Sequence, residues 1–222
     1  MIHQSVDPSI LHAWLLGRSV ARGVPPPVVD RGGFRVDSHT DTEISRWVFA
    51  EMGSGLRELA HAIRDPRYFL KLCGDADELR SALPNGWQIH ASNYFMQMDT
   101  EWRARPLVKG YGIEVCRNAA VVEVRIWSDA GALAASGYAG ETRDAFVYDR
   151  IVTAPDHRRK GLGRAIMTAL HAAKDCPATP ELLVATEDGR TLYSKLGWQT
   201  ISPYSTASIA VPQDRTSHPP VR

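Results

Sequence analysis

The sequence predicts an α+β protein (α/β where strand, loop and helix follow one another) with a helical N-terminal extension. Two patterns carry that reading. Val122, Val124 and Ile126 alternate with Glu123, Arg125 and Trp127, the period-two signature of a half-buried strand. Ile166, Ala169, Leu170 and Ala173 recur at helical spacing behind a glycine-rich loop. The chain has 222 residues, 44% of them hydrophobic, and a net charge of +1. Such a composition excludes wholesale disorder, and the near-zero balance argues against gripping nucleic acid or anionic lipid through an overall field. Cys73, Cys116 and Cys176 are widely spaced without CxxC pairing, which fits a reducing compartment better than a disulfide or zinc framework. MIHQSVDPSI lacks the basic and apolar regions of a secretory signal, and no stretch approaches the ~18 apolar residues of a membrane span. A cytoplasmic protein is the expectation.

Taken in order, residues 9–22 read as an amphipathic helix with Ile10, Trp14 and Leu15 on one face. Pro25, Pro26 and Pro27 then impose an extended connector. A helical region is expected over 43–64, where Leu56, Leu59, Ala60 and Ile63 share a face and Gly53 and Gly55 divide it in two. Residues 68–74 suggest a strand, 76–83 a short helix, Pro84-Asn85-Gly86 a turn, and 87–98 one or two strands. Beyond 110, strands dominate: 122–127, then a turn at Ser128–Gly131, then its partner at 132–138. Residues 145–153 give the clearest strand, and 161–174 a helix ended by Pro177 and Pro180. A short buried strand at 182–186, a helix at 189–196 and final strands within 198–211 follow, with a frayed polar tail expected at 212–222.

Leu79–Gln88 aligns with Leu192–Gln199 when two inserted residues are allowed, and both copies contain Leu-x-Ser and Gly-Trp-Gln. Each follows a strand at a similar distance, so a worn duplication is expected. The division is then 1–98, helical plus short strands and in part a degenerate half, 99–211, the functional domain, and 212–222, the tail.

The chemistry concentrates in Thr153-Ala-Pro-Asp-His-Arg158-Arg159-Lys160-Gly161-Leu162-Gly163-Arg164. A strand runs into a loop that becomes a helix, and the first helical turn is rich in glycine and cations. Backbone N–H groups at a helix start lack intrahelical acceptors, and the macrodipole there is positive. Glycine lets a phosphate approach closely, so the segment reads as a pyrophosphate cradle. Walker A is absent, and the dinucleotide fingerprint would need glycine at Ile166.

What remains, R-x-x-G-x-G behind a strand and Pro155, resembles the GCN5-related N-acetyltransferase (GNAT) superfamily. LLVATEDGRTLYSKLGW, beginning at Leu182, resembles that family's closing signature of strand, Leu-Tyr helix, glycine and aromatic. The resemblance spans roughly 110–211 and implies a mixed, mostly antiparallel sheet flanked by helices. It departs from the family at Thr186 and Gly189, where Asn and Ala are frequent.

The resemblance implies direct transfer of an acetyl group from acetyl-CoA to a primary amine, with coenzyme A as product and no metal. Arg158, Arg159, Lys160, Gly161, Leu162, Gly163 and Arg164 would cradle the phosphates. Ile151, Val152 and Thr153 would offer backbone groups to the pantetheine arm, the Val152 amide polarising the thioester. Tyr193 matches the general-acid tyrosine that protonates the leaving thiolate. Asp149 is the candidate base, with Glu141, Glu187 and Tyr148 in reserve and an ion pair with Arg125 or Arg150 as its other reading. Arg80 stands where Tyr193 would be in the first copy, so that half is expected to be silent. Trp14, Arg18, Arg22, Trp47 and Trp87 could line an acceptor pocket or simply pack, and Arg18 and Arg22 could receive an acceptor carboxylate. The expected partner is a small-molecule amine rather than a protein, with no nucleic acid or membrane, and a homodimer is left open. A non-catalytic acyl-CoA sensor is the alternative function.

Overall fold

The computed structural model describes residues 6–99 and 107–211. The tail expected at 212–222 lies outside them. Asp7 caps the first helix, α1 (Pro8–Arg22), by accepting the Ser9 N–H at 2.7 Å, and Gly23 ends it in the left-handed region at φ 63°. After the triple-proline connector come two short strands the sequence did not announce, β1 (Val28–Asp30) and β2 (Gly33–Asp37). Their hairpin turns on Arg31 and Gly32, both at positive φ, and an arginine in the first position hides the usual turn signal.

The helix expected over 43–64 is corrected. Its first part is a strand, β3 (Ser45–Phe49), and only Ser54–Ala62 forms helix α2. All five β3 residues are buried, Ser45 and Arg46 with Trp47, Val48 and Phe49, so the segment shows no alternation of apolar and polar positions. The remaining expectations agree with the structure: β4 (Tyr68–Leu72), α3 (Ala76–Ser81), β5 (Trp87–Ile89) and β6 (Asn93–Met98). Then follow β7 (Tyr111–Asn118), β8 (Val121–Ser128), β9 (Leu133–Glu141), β10 (Phe146–Thr153), α4 (Leu162–Ala172), β11 (Glu181–Thr186) and α5 (Glu187–Ser194). The closing segment is one long strand, β12 (Trp198–Ile209).

The twelve strands make one sheet in the order β1-β2-β3-β4-β12-β6-β11-β10-β9-β8-β7, with β5 on β12. It is mixed and mostly antiparallel; the two parallel pairs are β3–β4 and β10–β11. Each pair is joined through a helix, α2 in the first case and α4 in the second. The segments β3-α2-β4-α3-β5 and β10-α4-β11-α5-β12 thus have the same connectivity. Each also lends a strand to the other. β6 lies between β11 and the first part of β12, while the last part of β12 (205–209) lies between β4 and β5. The sheet runs unbroken across the boundary at 98/99.

Three apolar clusters hold the layers together. One joins α4 and α5 to the sheet through Ile166, Leu170, Phe146 and Leu183. A second lies beneath α1 around Leu11, Trp14, Phe95 and Val147, and the third packs Leu56, Leu59 and Leu79 against Leu70 and Leu72. Alternation along β10 and β11 sends Val147 and Leu182 to α1, and Phe146 and Leu183 to α4.

Candidate active site

The site begins where two parallel strands part. β10 pairs with β11 at only two positions, Phe146↔Glu181 and Val147↔Leu182. On its other edge its register with β9 shifts between Asp149 and Val152, and Arg150 takes φ 53°. This bulge bends the second half of β10 away from β11. The equivalent pair, β3–β4, stays joined over five consecutive positions from Ser45↔Tyr68 to Phe49↔Leu72. Only the β10–β11 pair opens into a cleft, with a volume of about 680 Å³.

At one end of this cleft lie Thr153, Arg158, Gly163 and Leu192, beside the start of α4. Gly161 caps that helix at φ 79° with no side-chain hydrogen bond, so its first N–H groups are not claimed by a cap. A Cβ on Gly163 would come within 3.2 Å of Leu192 Cδ2 and 3.9 Å of Thr153 Oγ1, so glycine keeps the surface low there. Arg158, Arg159 and Lys160 are exposed. Arg158 Nε donates to the Thr153 carbonyl at 3.4 Å and Lys160 Nζ to Tyr111 Oη at 3.1 Å. Open backbone donors, two glycines and surrounding cations fit a pyrophosphate. The Ile151–Thr153 edge fits an extended amide-bearing arm, since Val152 is 58% exposed and that stretch makes no pair with β11.

Tyr193 projects from α5 into the same cleft, and burial raises its hydroxyl to about 12, so it is neutral at pH 7. Thr186 caps α5 by accepting the Gly189 N–H at 3.2 Å, which gives the residue at 186 a structural role.

Asp149 is also in the cleft, but as a clamped anion. Arg22 holds both its oxygens, Nε to Oδ2 at 2.6 Å and Nη2 to Oδ1 at 2.9 Å, and Arg150 Nε stands 3.3 Å from Oδ2. With both oxygens taken by one guanidinium and a second guanidinium alongside, this carboxylate is committed to an ion pair, which argues against the base role. Its main partner, Arg22, lies 127 residues away in sequence; Arg125 pairs instead with Glu123 at 2.8 Å. The reserves are engaged too. Tyr148 donates to buried Glu181, Glu141 binds Arg117 at 2.8 Å, and exposed Glu187 holds Tyr94 and Arg190.

The opposite end of the cleft comes from the N-terminal region: Trp14, Arg18 and Arg22 of α1, Lys71 of β4, with Tyr204 and Thr206 of β12. Arg22 is spent on Asp149, whereas Arg18 Nε reaches Asp149 Oδ1 only at 3.9 Å and its guanidinium lies 5.8 Å over the Trp14 ring. Burial and repulsion from Arg22 lower Arg18. Lys71 falls to about 8 because it is buried and because Arg18 and Arg22 repel it, against a partial offset from Glu43. Trp47 and Trp87 do not join the site. Both pack in the third cluster, with indole N–H groups on Asp30 at 2.7 Å and on the Ala60 carbonyl at 3.1 Å. Lys71, Tyr204 and Thr206 were not anticipated. A lysine among Tyr68, Phe69, Leu70 and Leu72 was the available signal, but strand order brings it to the cleft.

A family description, the acetyltransferase (GNAT) domain, matches residues 118–200. Among solved structures, a GCN5-related N-acetyltransferase from Kribbella flavida superposes with a TM-score of 0.65 at 17% identity, covering 94% of this chain and 97% of the other. A GCN5-related N-acetyltransferase-like protein from Streptococcus suis gives 0.60 at 13% identity, covering 91% and 98%. A tandem GNAT protein from the clavulanic acid biosynthesis pathway gives 0.50 at 14%, covering 77% and 76%. No curated protein matches. The likenesses are of fold.

Proposed function

From the match of residues 118–200 to the acetyltransferase (GNAT) domain, we propose that the chain moves the acetyl group of acetyl-CoA directly onto a primary amine of a small molecule. One observation carries the proposal: the strand gap between β10 and β11 opens beside an uncapped, glycine-lined helix start and contains a neutral tyrosine. Bound acetyl-CoA supplies a thioester whose carbonyl carbon accepts the amine.

The chain's residues then have separable tasks. Arg158 to Arg164 hold the phosphates, chiefly through backbone N–H groups at the α4 start. Ile151 to Thr153 align the extended arm, and the Val152 N–H polarises the thioester oxygen. Tyr193 holds a proton at Oη and delivers it to sulfur as the carbon–sulfur bond breaks, while the new carbon–nitrogen bond forms. The ammonium loses one proton to water before it attacks, and the nitrogen loses a second after the bond forms, which restores Tyr193 by way of solvent. Cationic surroundings favour the first loss, because Arg18 and Lys71 disfavour an ammonium nearby. Asp149 anchors Arg22 and so fixes α1 over the cleft; that is the role we assign it in place of base.

Residues 1–98 we read as a degenerate GNAT-like half, supported by the shared connectivity and exchanged strands. In it Gly53 and Gly55 hold the same places in α2 that Gly161 and Gly163 hold in α4, while Ala50-Glu51-Met52 replace the cations. We place the protein in the cytoplasm. No helix among the described residues is long and apolar enough to cross a membrane.

The test is release of free thiol from acetyl-CoA across amino acids, polyamines, aminoglycosides and lysine peptides. Amine-dependent release supports transfer. Acetyl-CoA binding with no release from any acceptor would instead make the protein a sensor.

A further inference from the structure

Five basic side chains, Arg18, Arg22, Lys71, Arg150 and Arg158, line the cleft against two acidic ones, Asp149 and Asp188. Several of these are already committed. Arg158 belongs to the phosphate end. Arg22 is joined bidentately to Asp149, and Arg150 donates to the Ala21 carbonyl and covers the Tyr138 ring at 4.0 Å. Two cations at the N-terminal end are left undersatisfied. Arg18 has the long 3.9 Å approach to a carboxylate that Arg22 has taken, and Lys71 donates to Thr206 Oγ1 at 3.4 Å. Glu43 lies within electrostatic reach of both but is itself held by Arg46 and Ser38.

Half-buried cations without close anions are costly, and a fold retains them where something arrives to pair with them. The surroundings suit a small oxyanion. Arg18 presents a planar fork, Lys71 has donors to spare, and Thr206 adds a hydroxyl, while Trp14 and Tyr204 supply aromatic walls meeting edge to face at 5.5 Å. The other end of the same cavity is the one assigned to acetyl-CoA, so an anion held here belongs to the acceptor.

We infer that Arg18 and Lys71 form a carboxylate-binding subsite, and that the acceptor is an amino acid or a similarly small amine bearing a carboxylate. The inference rests on the acetyl-transfer reading, whose failure the following experiment separates from its own. It also explains why α1, which has no counterpart in the repeated segments, crosses the cleft: it brings Arg18 there, and Asp149 fixes its end through Arg22.

The experiment compares thiol release for matched acceptors: amino acids, their primary amides and the corresponding aminophosphonates, over small and aromatic side chains. The acid should exceed its amide by about 30-fold in kcat/KM, the effect of a lost charge-assisted hydrogen bond. Arg18→Gln and Lys71→Met should each narrow that ratio, the arginine change to within about threefold. Amides turned over as well as acids, or acid and amide losing equally in Arg18→Gln, would overturn the subsite. Phosphonates preferred over carboxylates would overturn the carboxylate assignment. Calorimetric titration with the deaminated acid, which cannot be acetylated, reads the subsite without turnover. Binding to the parent protein and loss in Arg18→Gln would uphold it even if no acceptor released thiol; no binding to the parent would overturn it.

Discussion

The two halves repeat one connectivity and use it in opposite ways. At the start of α4, Gly163 leaves its surface open, its nearest neighbours being side-chain atoms of Leu192 and Thr153. At the start of α2, a Cβ on Gly55 would fall 1.8 Å from the Arg31 carbonyl oxygen, because the β1–β2 turn is seated there. Below the first glycine pair, β10 and β11 part after two positions; below the second, β3 and β4 stay joined for five. Where Tyr193 enters the cleft, its counterpart Arg80 donates at 2.8 Å to the Trp87 carbonyl. A glycine pair at a helix start can therefore receive the protein's own backbone, as at α2, or stay open, as at α4, where we propose that it receives a ligand's phosphate. The strand gap and the nearby cations decide which.

The largest effect expected from breaking this contrast is Gly163→Glu. A carboxylate beside Thr153 and Leu192 obstructs and repels phosphate, so acetyl-CoA affinity should fall by at least about a thousandfold with the fold retained, as calorimetry and circular dichroism would report. Next is the exchange of glycine for alanine at equivalent positions. Gly55→Ala should lower unfolding free energy by about 3 kcal/mol, the upper end for overpacking, because backbone blocks the new methyl. Gly163→Ala should change stability by less than about 1 kcal/mol while weakening the cofactor. Denaturant melts of both variants measure this, and equal losses would erase the distinction between the two sites.

Tyr193→Phe should preserve acetyl-CoA affinity and lower kcat by about a hundredfold, the range of a general acid. Since burial holds the hydroxyl near 12, turnover by the parent protein should show no alkaline fall from this group below pH 11. An equal kcat in the variant would remove Tyr193 from the chemistry.

The smallest effect concerns Lys71, lowered in the fold to about 8 from an ordinary 10.5. Between those values the unfolded chain binds more protons than the folded one, so this group's penalty is fully present below pH 8 and fades as pH rises to 10.5. Lys71→Met should therefore raise Tm by a few degrees at pH 7 without ligand, with a smaller gain at pH 10. No gain at pH 7 would mean that the lysine is paired better than its surroundings suggest.

Much of the C-terminal half was legible because its signals are local. Alternation at 122–127, glycine and cations at 158–164 and the Leu-Tyr helix each occupy one short segment. The cradle glycines of α2 were also visible, as Gly53 and Gly55, but without cations they read as breaks in a helix extended too far back to residue 43. β3 escaped because burial on both faces removes the period of two. Asp149 was found without its partner for a different reason: it is joined to Arg22, which only the crossing of α1 brings near. The N-terminal end of the cleft was least legible, since Lys71 and Thr206 reach it through strand exchange, a fact of topology rather than of any local pattern.

The central claim is that one half carries the cofactor site and the other has filled its own. Calorimetric titration of the parent chain with acetyl-CoA, repeated with Gly163→Glu, tests it most directly. One site per chain, lost in the variant, is the predicted result. Two sites per chain, or a site that persists with unchanged affinity in Gly163→Glu, would contradict it.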